Sequence, residues 1–252
     1  MESLAGHGIA SLALLLGVAL VAGLARGFSG FGAALIFVPL ASAIVGPRLA
    51  VPLLLVVDAV AAAGMIPNGW RLADRREVAI MSAGALAGVP LGTLALASMD
   101  AQTLRWAIIL VVAALLALLM SGWRYRGRTR VPLTVAVGAI AGVFSGAAQT
   151  GGPPVVAYWL GGAAGRQKVR ANIVLYFAIA TVFSIVSYLW NGLIVAEVLW
   201  LSLLTGPAFG LGLYVGSRMF GLADEDVFRR ICFALIAAAV VLGLPLWDAL
   251  RG

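Results

Sequence analysis

The stretch Phe144-Ser145-Gly146-Ala147-Ala148-Gln149-Thr150-Gly151-Gly152-Pro153-Pro154 interrupts a segment that is otherwise apolar. An interruption is costly there. In hydrocarbon an unpaired backbone N–H or C=O costs several kcal/mol, so broken backbone persists only when buried in protein or lining a wet cavity. Gly151-Gly152 loosens the chain, and Pro153-Pro154 removes two donors and suits the first turn of a new helix. A second interruption, Phe28-Ser29-Gly30-Phe31-Gly32, opens with the same Phe-Ser-Gly. Matching breaks in the two halves of an apolar chain point to a transporter's binding site.

Composition fixes the solvent. With 63% hydrophobic and 11% charged residues and a mean hydropathy of +1.07, the chain is too apolar for a water-facing surface. The formal charge of +7 does not imply nucleic acid, because the arginines lie between apolar runs and read as topology determinants. Cys232 is the only cysteine and forms no intramolecular disulfide. His7 is the only histidine, which removes histidine metal clusters and Ser-His-Asp triads, so no cofactor or metal is expected. No Lys or Arg precedes Arg26, so the first apolar run reads as a retained span rather than a signal peptide.

The expected fold is all-α: a polytopic membrane protein made of two inverted repeats. Each repeat holds about five helical segments, with short or interrupted helices at the Gly-rich motifs. The whole of 1–252 is read as one transmembrane domain, with repeat 1 at 1–121, a basic linker at 122–131 and repeat 2 at 132–252. Residues 9–45 are too long for one crossing of about 20 residues, and 27–32 divides them. Segments follow at 50–66 (closed by Pro67-Asn68-Gly69), 78–98 and 103–120. The second half replays the order at 132–148, 153–162, 173–190, 197–215 and 231–247, with 166–170 and 218–230 as charged loops. A shift of 116 sets Phe28, Ser29 and Gly30 on Phe144, Ser145 and Gly146. A shift of 124 sets Gly88, Gly92, Asp100 and Arg105 on Gly212, Gly216, Asp224 and Arg229.

Charge chooses the number of crossings. If both short segments only dip in, positive residues divide evenly between the two sides. If both cross, giving ten crossings, only Arg48, Arg105 and Arg251 lie outside and the other fourteen of the seventeen lie inside. The positive-inside rule favours ten, with an odd five per half and hence inverted halves. Small-residue faces are expected at Gly84-x-x-x-Gly88-x-x-x-Gly92, Gly206-x-x-x-Gly210 and Gly212-x-x-x-Gly216. Asp100 and Asp224 read as caps of the last helix in each half.

Candidate ligand contacts gather at the breaks: Ser29, Gly30, Phe31 and Gly32 at the first, and Ser145, Gly146, Gln149, Thr150, Gly151, Gly152 and Pro153 at the second. Asn172 joins them as a polar residue bordering a span. Asp58 lies mid-span, where a carboxylate costs about 2.5–3.5 kcal/mol on insertion scales, and is either a structural partner of a neighbouring helix or a proton or cation coupling site.

Gly27-Phe28-Ser29-Gly30-Phe31-Gly32 followed by Pro39, and Gly142-Val143-Phe144-Ser145-Gly146 with Gly151-Gly152-Pro153, resemble the paired signatures of the TauE/SafE sulfite-exporter-like transporters. The resemblance covers essentially the whole chain. It implies a multi-pass secondary transporter of the bacterial inner membrane, not an enzyme, moving a small anion such as sulfite, a sulfonate or a related organic anion. The implied partners are that anion and the lipid bilayer, with no nucleic acid; a homodimer is compatible. Backbone N–H groups at the broken helices would face the anion. Two other classes stand beside this reading: an intramembrane enzyme of the lipid-phosphatase type, and an anion channel.

Overall fold

The computed structural model describes residues 8–30, 32–127, 129–161, 165–219 and 225–246. Among these, every regular element is helical: α1 (Ile9–Ser29), α2 (Ala33–Val45), α3 (Pro47–Ala62), a 3₁₀ turn (Ala63–Met65), α4 (Ile66–Leu72), α5 (Arg75–Ser98), α6 (Ala101–Ser121), α7 (Val131–Ala148), α8 (Gly152–Trp159), α9 (Arg166–Trp190), α10 (Ala196–Met219) and α11 (Glu225–Gly243). The reason is the solvent: a helix satisfies its own backbone, and nothing else available to a single apolar segment does. Six of these helices are long and apolar enough to cross a membrane: Ile9–Phe28, Arg75–Ser98, Ala101–Ser121, Val131–Ala148, Gln167–Trp190 and Ala196–Met219. The chain is an all-α polytopic membrane protein.

The two interrupted segments are short. At 1.5 Å per residue, α2 is about 20 Å long and α8 about 12 Å, against roughly 30 Å of hydrocarbon. Neither crosses as a helix by itself, so ten crossings would need the chain beyond them to complete the passage.

Several boundaries differ from the sequence expectation, each for a local reason. Pro67-Asn68-Gly69 does not close a span. α3 ends at Ala62, and Pro67 sits in the first turn of α4, where its missing N–H costs nothing. Lys168 and Arg170 are not in a loop but in the first turns of α9, and Arg229 and Arg230 lie within α11. Charged residues simply extend a helix beyond its apolar part. Asp100 caps α6 as expected, with its Oδ1 accepting the Thr103 N–H at 2.9 Å; Asp224 lies outside the described residues. The linker is docked rather than free: the Tyr125 N–H donates to the Ala157 carbonyl at 3.0 Å, and its ring stacks on Tyr158 at 5.3 Å.

The chain forms two compact units, and they do not follow its two halves. One unit combines Met1–Val57, Met99–Leu116 and Leu193–Gly252; the other combines Asp58–Ser98 and Ala117–Gly192. Each therefore draws on both halves of the sequence, the first unit on its two ends and the second on its middle.

The first unit is organised on α1 against α10. A Cβ added at Gly23 or Gly27 would overlap the carbonyls of Phe209 and Leu213, and one at Gly212 or Gly216 would overlap those of Leu20 and Leu24. The second unit is organised on α5 against α7. There Gly84, Gly88 and Gly92 press on the carbonyls of Val135, Ala139 and Val143, while Gly142 and Gly146 press on the backbone of Ala85 and Val89. With lipid as apolar as any side chain, such close backbone approach, and the dispersion it gains, holds the helices together. The expected face Gly206-x-x-x-Gly210 is a correction: an added Cβ at either position meets nothing within 4 Å. In α10 the packed face is that of Gly212 and Gly216, because a two-residue step turns a helix by more than half a circle.

These contacts also reset the internal register. Gly23 and Gly27 occupy in one unit the places that Gly142 and Gly146 occupy in the other, which is a shift of 119. Their partners Phe209 and Leu213 correspond to Ala85 and Val89 with the shift of 124 already read from the sequence. The Phe-Ser-Gly match at 116 is thus out of register by three residues, nearly one helical turn.

Candidate functional site: two helix breaks

The breaks obey the same shift. α1 ends on a left-handed residue, Gly30 with φ 81°, and α7 ends on Gln149 with φ 57°, 119 positions later. Gly32 and Gly151 stand immediately before α2 and α8 with nearly the same backbone angles, again 119 apart. Ser29 is therefore not the counterpart of Ser145. Arg26 is, and the geometry brings a cation to the first break that residue matching had set aside.

At the first break the Gly30 N–H donates to the Arg26 carbonyl at 2.8 Å, and the Arg26 guanidinium donates to the Gly30 carbonyl. A cation in the last turn suits the negative end of the α1 dipole. Gly32 is buried, Gly30 exposed; Phe31 and the side chain of Ser29 lie outside the described residues. The first four N–H positions of α2 belong to Gly32, Ala33, Ala34 and Leu35, all of which carry a donor.

At the second break the donors are mostly committed. The Gln149 N–H bonds the Ser145 carbonyl at 2.9 Å and the Thr150 N–H the Phe144 carbonyl at 3.1 Å. Gln149 Nε2 donates to the Ser145 carbonyl at 2.9 Å and to the Tyr188 hydroxyl at 3.1 Å. Tyr188 in turn donates to the Gly146 carbonyl at 2.7 Å. These bonds close the open carbonyls at the end of α7. Gln149 is the one described non-glycine residue with positive φ, a conformation an L side chain adopts at a cost of about 1–2 kcal/mol. Its side-chain bonds hold it there. Thr150 is 1% exposed, and Ser145, Gly151, Gly152 and Pro153 are buried. Beyond the break, Pro153 and Pro154 remove two of the first four N–H groups of α8. The first turn of α2 thus carries four backbone N–H groups where that of α8 carries two.

Gly151 packs rather than opens: an added Cβ would overlap Ser145 Oγ and the Ala141 carbonyl. Bulk at Gly151 would displace α7 before it obstructed a ligand, so it is a poor probe of binding.

Asn172 is not at the break. Its Oδ1 accepts the Asp74 N–H at 2.7 Å, while the Asp74 carboxylate bonds Lys168 at 2.9 Å. Lys168 and the Glu77 N–H hold the Asp74 carboxyl below the usual carboxylate range. Asn172 thus ties the turn before α5 to the start of α9. It stands sixteen residues from Tyr188 in the same helix, roughly 24 Å along the axis. Tyr188 was missed in sequence because a tyrosine in an apolar span looks like core. Its hydroxyl is the available signal: buried with its ring, it must find a partner. Asp58 is half-buried in the second unit, four residues before the end of α3. The dipole disfavours a carboxylate there, so its position needs a reason beyond the helix.

A family model described as sulfite exporter TauE/SafE matches residues 15–243, which take in both breaks and most of the chain. The chain belongs to the TauE/SafE sulfite-exporter family. No curated protein and no solved structure matches it. As a TauE/SafE protein it is a membrane protein of a transporter family, and its two Gly-rich signatures are the two points where long helices stop and short ones begin.

One consequence for the second break is measurable. Tyr188→Phe leaves the Gly146 carbonyl without its donor and should cost about 1–3 kcal/mol in a thermal melt of the purified protein. In a Gln149→Gly background the same change should cost roughly 0.5–1.5 kcal/mol less, since the Gln149–Tyr188 bond is already gone. Equal costs in both backgrounds would show that the network does not hold the break.

Proposed function

We propose that this chain is a secondary transporter of the bacterial inner membrane that moves a small anion, such as sulfite, a sulfonate or a related organic anion, by alternating access. Family membership carries the reading, and the first break supports it chemically. There, α2 begins across the break from Arg26 with all four of its first N–H groups present, and the positive end of its dipole suits an oxyanion. Gly30 and Gly32 let the backbone approach the ligand, and Ser29 and Phe31 are proposed as further contacts on the strength of the motif alone. At the second break Ser145, Gly146 and Gln149 to Pro153 make the corresponding segment, with Gln149 and Thr150 acting through the shape of the backbone more than by direct donation. Asn172 acts at a distance by fixing the start of α9. Asp58 is the proposed proton-coupling group. The repeats 1–121 and 132–252 are proposed to be inverted in the membrane.

The test is uptake into proteoliposomes of sulfite, thiosulfate, sulfonates and carboxylates, with and without a proton gradient. Saturable flux of a sulfur oxyanion, accelerated by the gradient, is expected. Flux linear in concentration would indicate a channel, and no flux of any of these anions would remove the substrate assignment.

A further inference from the structure

The second unit contains a cavity of about 500 Å³ lined by Gly64, Gly69, Leu72, Gln167, Arg170, Ala171 and Val174, none of them a residue of the break in that unit. It lies between the 3₁₀ turn with α4 and the first turns of α9. Its walls come from residue size. At Gly69 an added Cβ would come within 2.9 Å of Val174 Cγ1, so α4 touches α9 there. At Gly64 an added Cβ meets nothing within 4 Å, and the space stays open.

The lining separates by polarity. Leu72, Ala171 and Val174 are apolar, while Gln167 and Arg170 sit one helical turn apart on one face of α9. Nearby Lys168 is engaged by Asp74, whereas the exposed Arg170 side chain makes no ion pair or hydrogen bond among the described residues. Trp70, 52% exposed on α4, lies under the Arg75 guanidinium at 4.9 Å. An exposed tryptophan beside arginines marks the headgroup level of a membrane.

We propose that this cavity holds an anionic phospholipid, with its phosphate on Arg170 and Gln167 and an acyl chain against Leu72, Ala171 and Val174. Charge complementarity and level select that occupant. A basic pocket between membrane helices at the interface suits a lipid headgroup. A small oxyanion would leave the apolar wall unused, and a volume of this size suits a larger, largely apolar ligand. The lining shares no residue with the anion site proposed above, and the assignment stands whether or not that reading holds.

Native mass spectrometry of the full chain, delipidated and titrated with phosphatidylglycerol or phosphatidylcholine, tests it. Retention of phosphatidylglycerol over phosphatidylcholine is expected. Arg170→Ala should weaken phosphatidylglycerol binding about tenfold, the scale of one charge-assisted hydrogen bond, and Arg170→Lys should restore most of it. Arg124→Ala, which removes an exposed arginine outside the cavity, should leave it unchanged. Gly64→Leu should fill the open end and lower retention without shifting the melting temperature of the delipidated protein. If that variant does not fold, the Arg170 pair still decides. Equal retention of the two lipids, indifference to Arg170→Ala, or displacement of phosphatidylglycerol by millimolar sulfite would each overturn the assignment.

Discussion

Gly212→Ala should destabilise the protein by about 1–3 kcal/mol, while Gly210→Ala, two residues away in the same helix, should be neutral or stabilise it by up to about 1 kcal/mol. The sign differs because the new methyl meets different things. At Gly212 it would overlap the Leu20 carbonyl of α1, which is backbone and cannot rotate away; at Gly210 it meets nothing within 4 Å. α10 would then have to back off from α1 along its length and lose dispersion at Gly216, Gly23 and Gly27 as well. Alanine at Gly210 gains only the ordinary helix preference over glycine. Gly88→Ala should behave like Gly212→Ala, since the Ala139 carbonyl occupies the equivalent place in the second unit. Thermal melts of the detergent-purified variants measure all three. A destabilising Gly210→Ala would reveal a close packing partner that the chain does not itself supply.

Asp58→Asn should abolish proton-driven accumulation while leaving exchange of the anion across the same proteoliposomes intact. The substitution keeps shape and hydrogen-bonding capacity but cannot gain or lose a proton, so it separates coupling from binding. The expectation rests on position. Asp58 is a half-buried acid in an apolar helix, and such residues are retained in membranes mainly for a partner or for function. Accumulation at the normal level in this variant would assign Asp58 a structural role. Loss of both accumulation and exchange with an unchanged melting temperature would place it in the binding site itself.

Much of the architecture was legible because the membrane restricts the choices. Long apolar runs had to be helices, and two Gly- and Pro-rich interruptions had to end and restart them; the boundaries at Ser29, Ala33, Ala148 and Gly152 lie where the residues place them. The capping role of Asp100 followed from its position before an apolar run. Helix ends with charged residues were less legible, because hydropathy stops at the edge of hydrocarbon and helices do not. Hence α5 and α9 start at Arg75 and Arg166, earlier than apolarity suggests.

The sequence by itself determined that this is an all-α membrane chain, that it is broken at two places, and which family it resembles. Those properties are local: they depend on hydropathy and on the backbone habits of glycine and proline. Tertiary structure decided which glycines matter and which residues correspond. Gly206-x-x-x-Gly210 and Gly212-x-x-x-Gly216 are equally good patterns on paper, and only the presence of α1 distinguishes them. Phe-Ser-Gly aligned Ser29 with Ser145, whereas backbone contacts set Arg26 there and paired Gly30 with Gln149. Identical tripeptides carry no information about which turn of a helix touches its neighbour. Tyr188 joined the second break and Asn172 left it for the same reason, since a side chain's partner depends on where other helices lie.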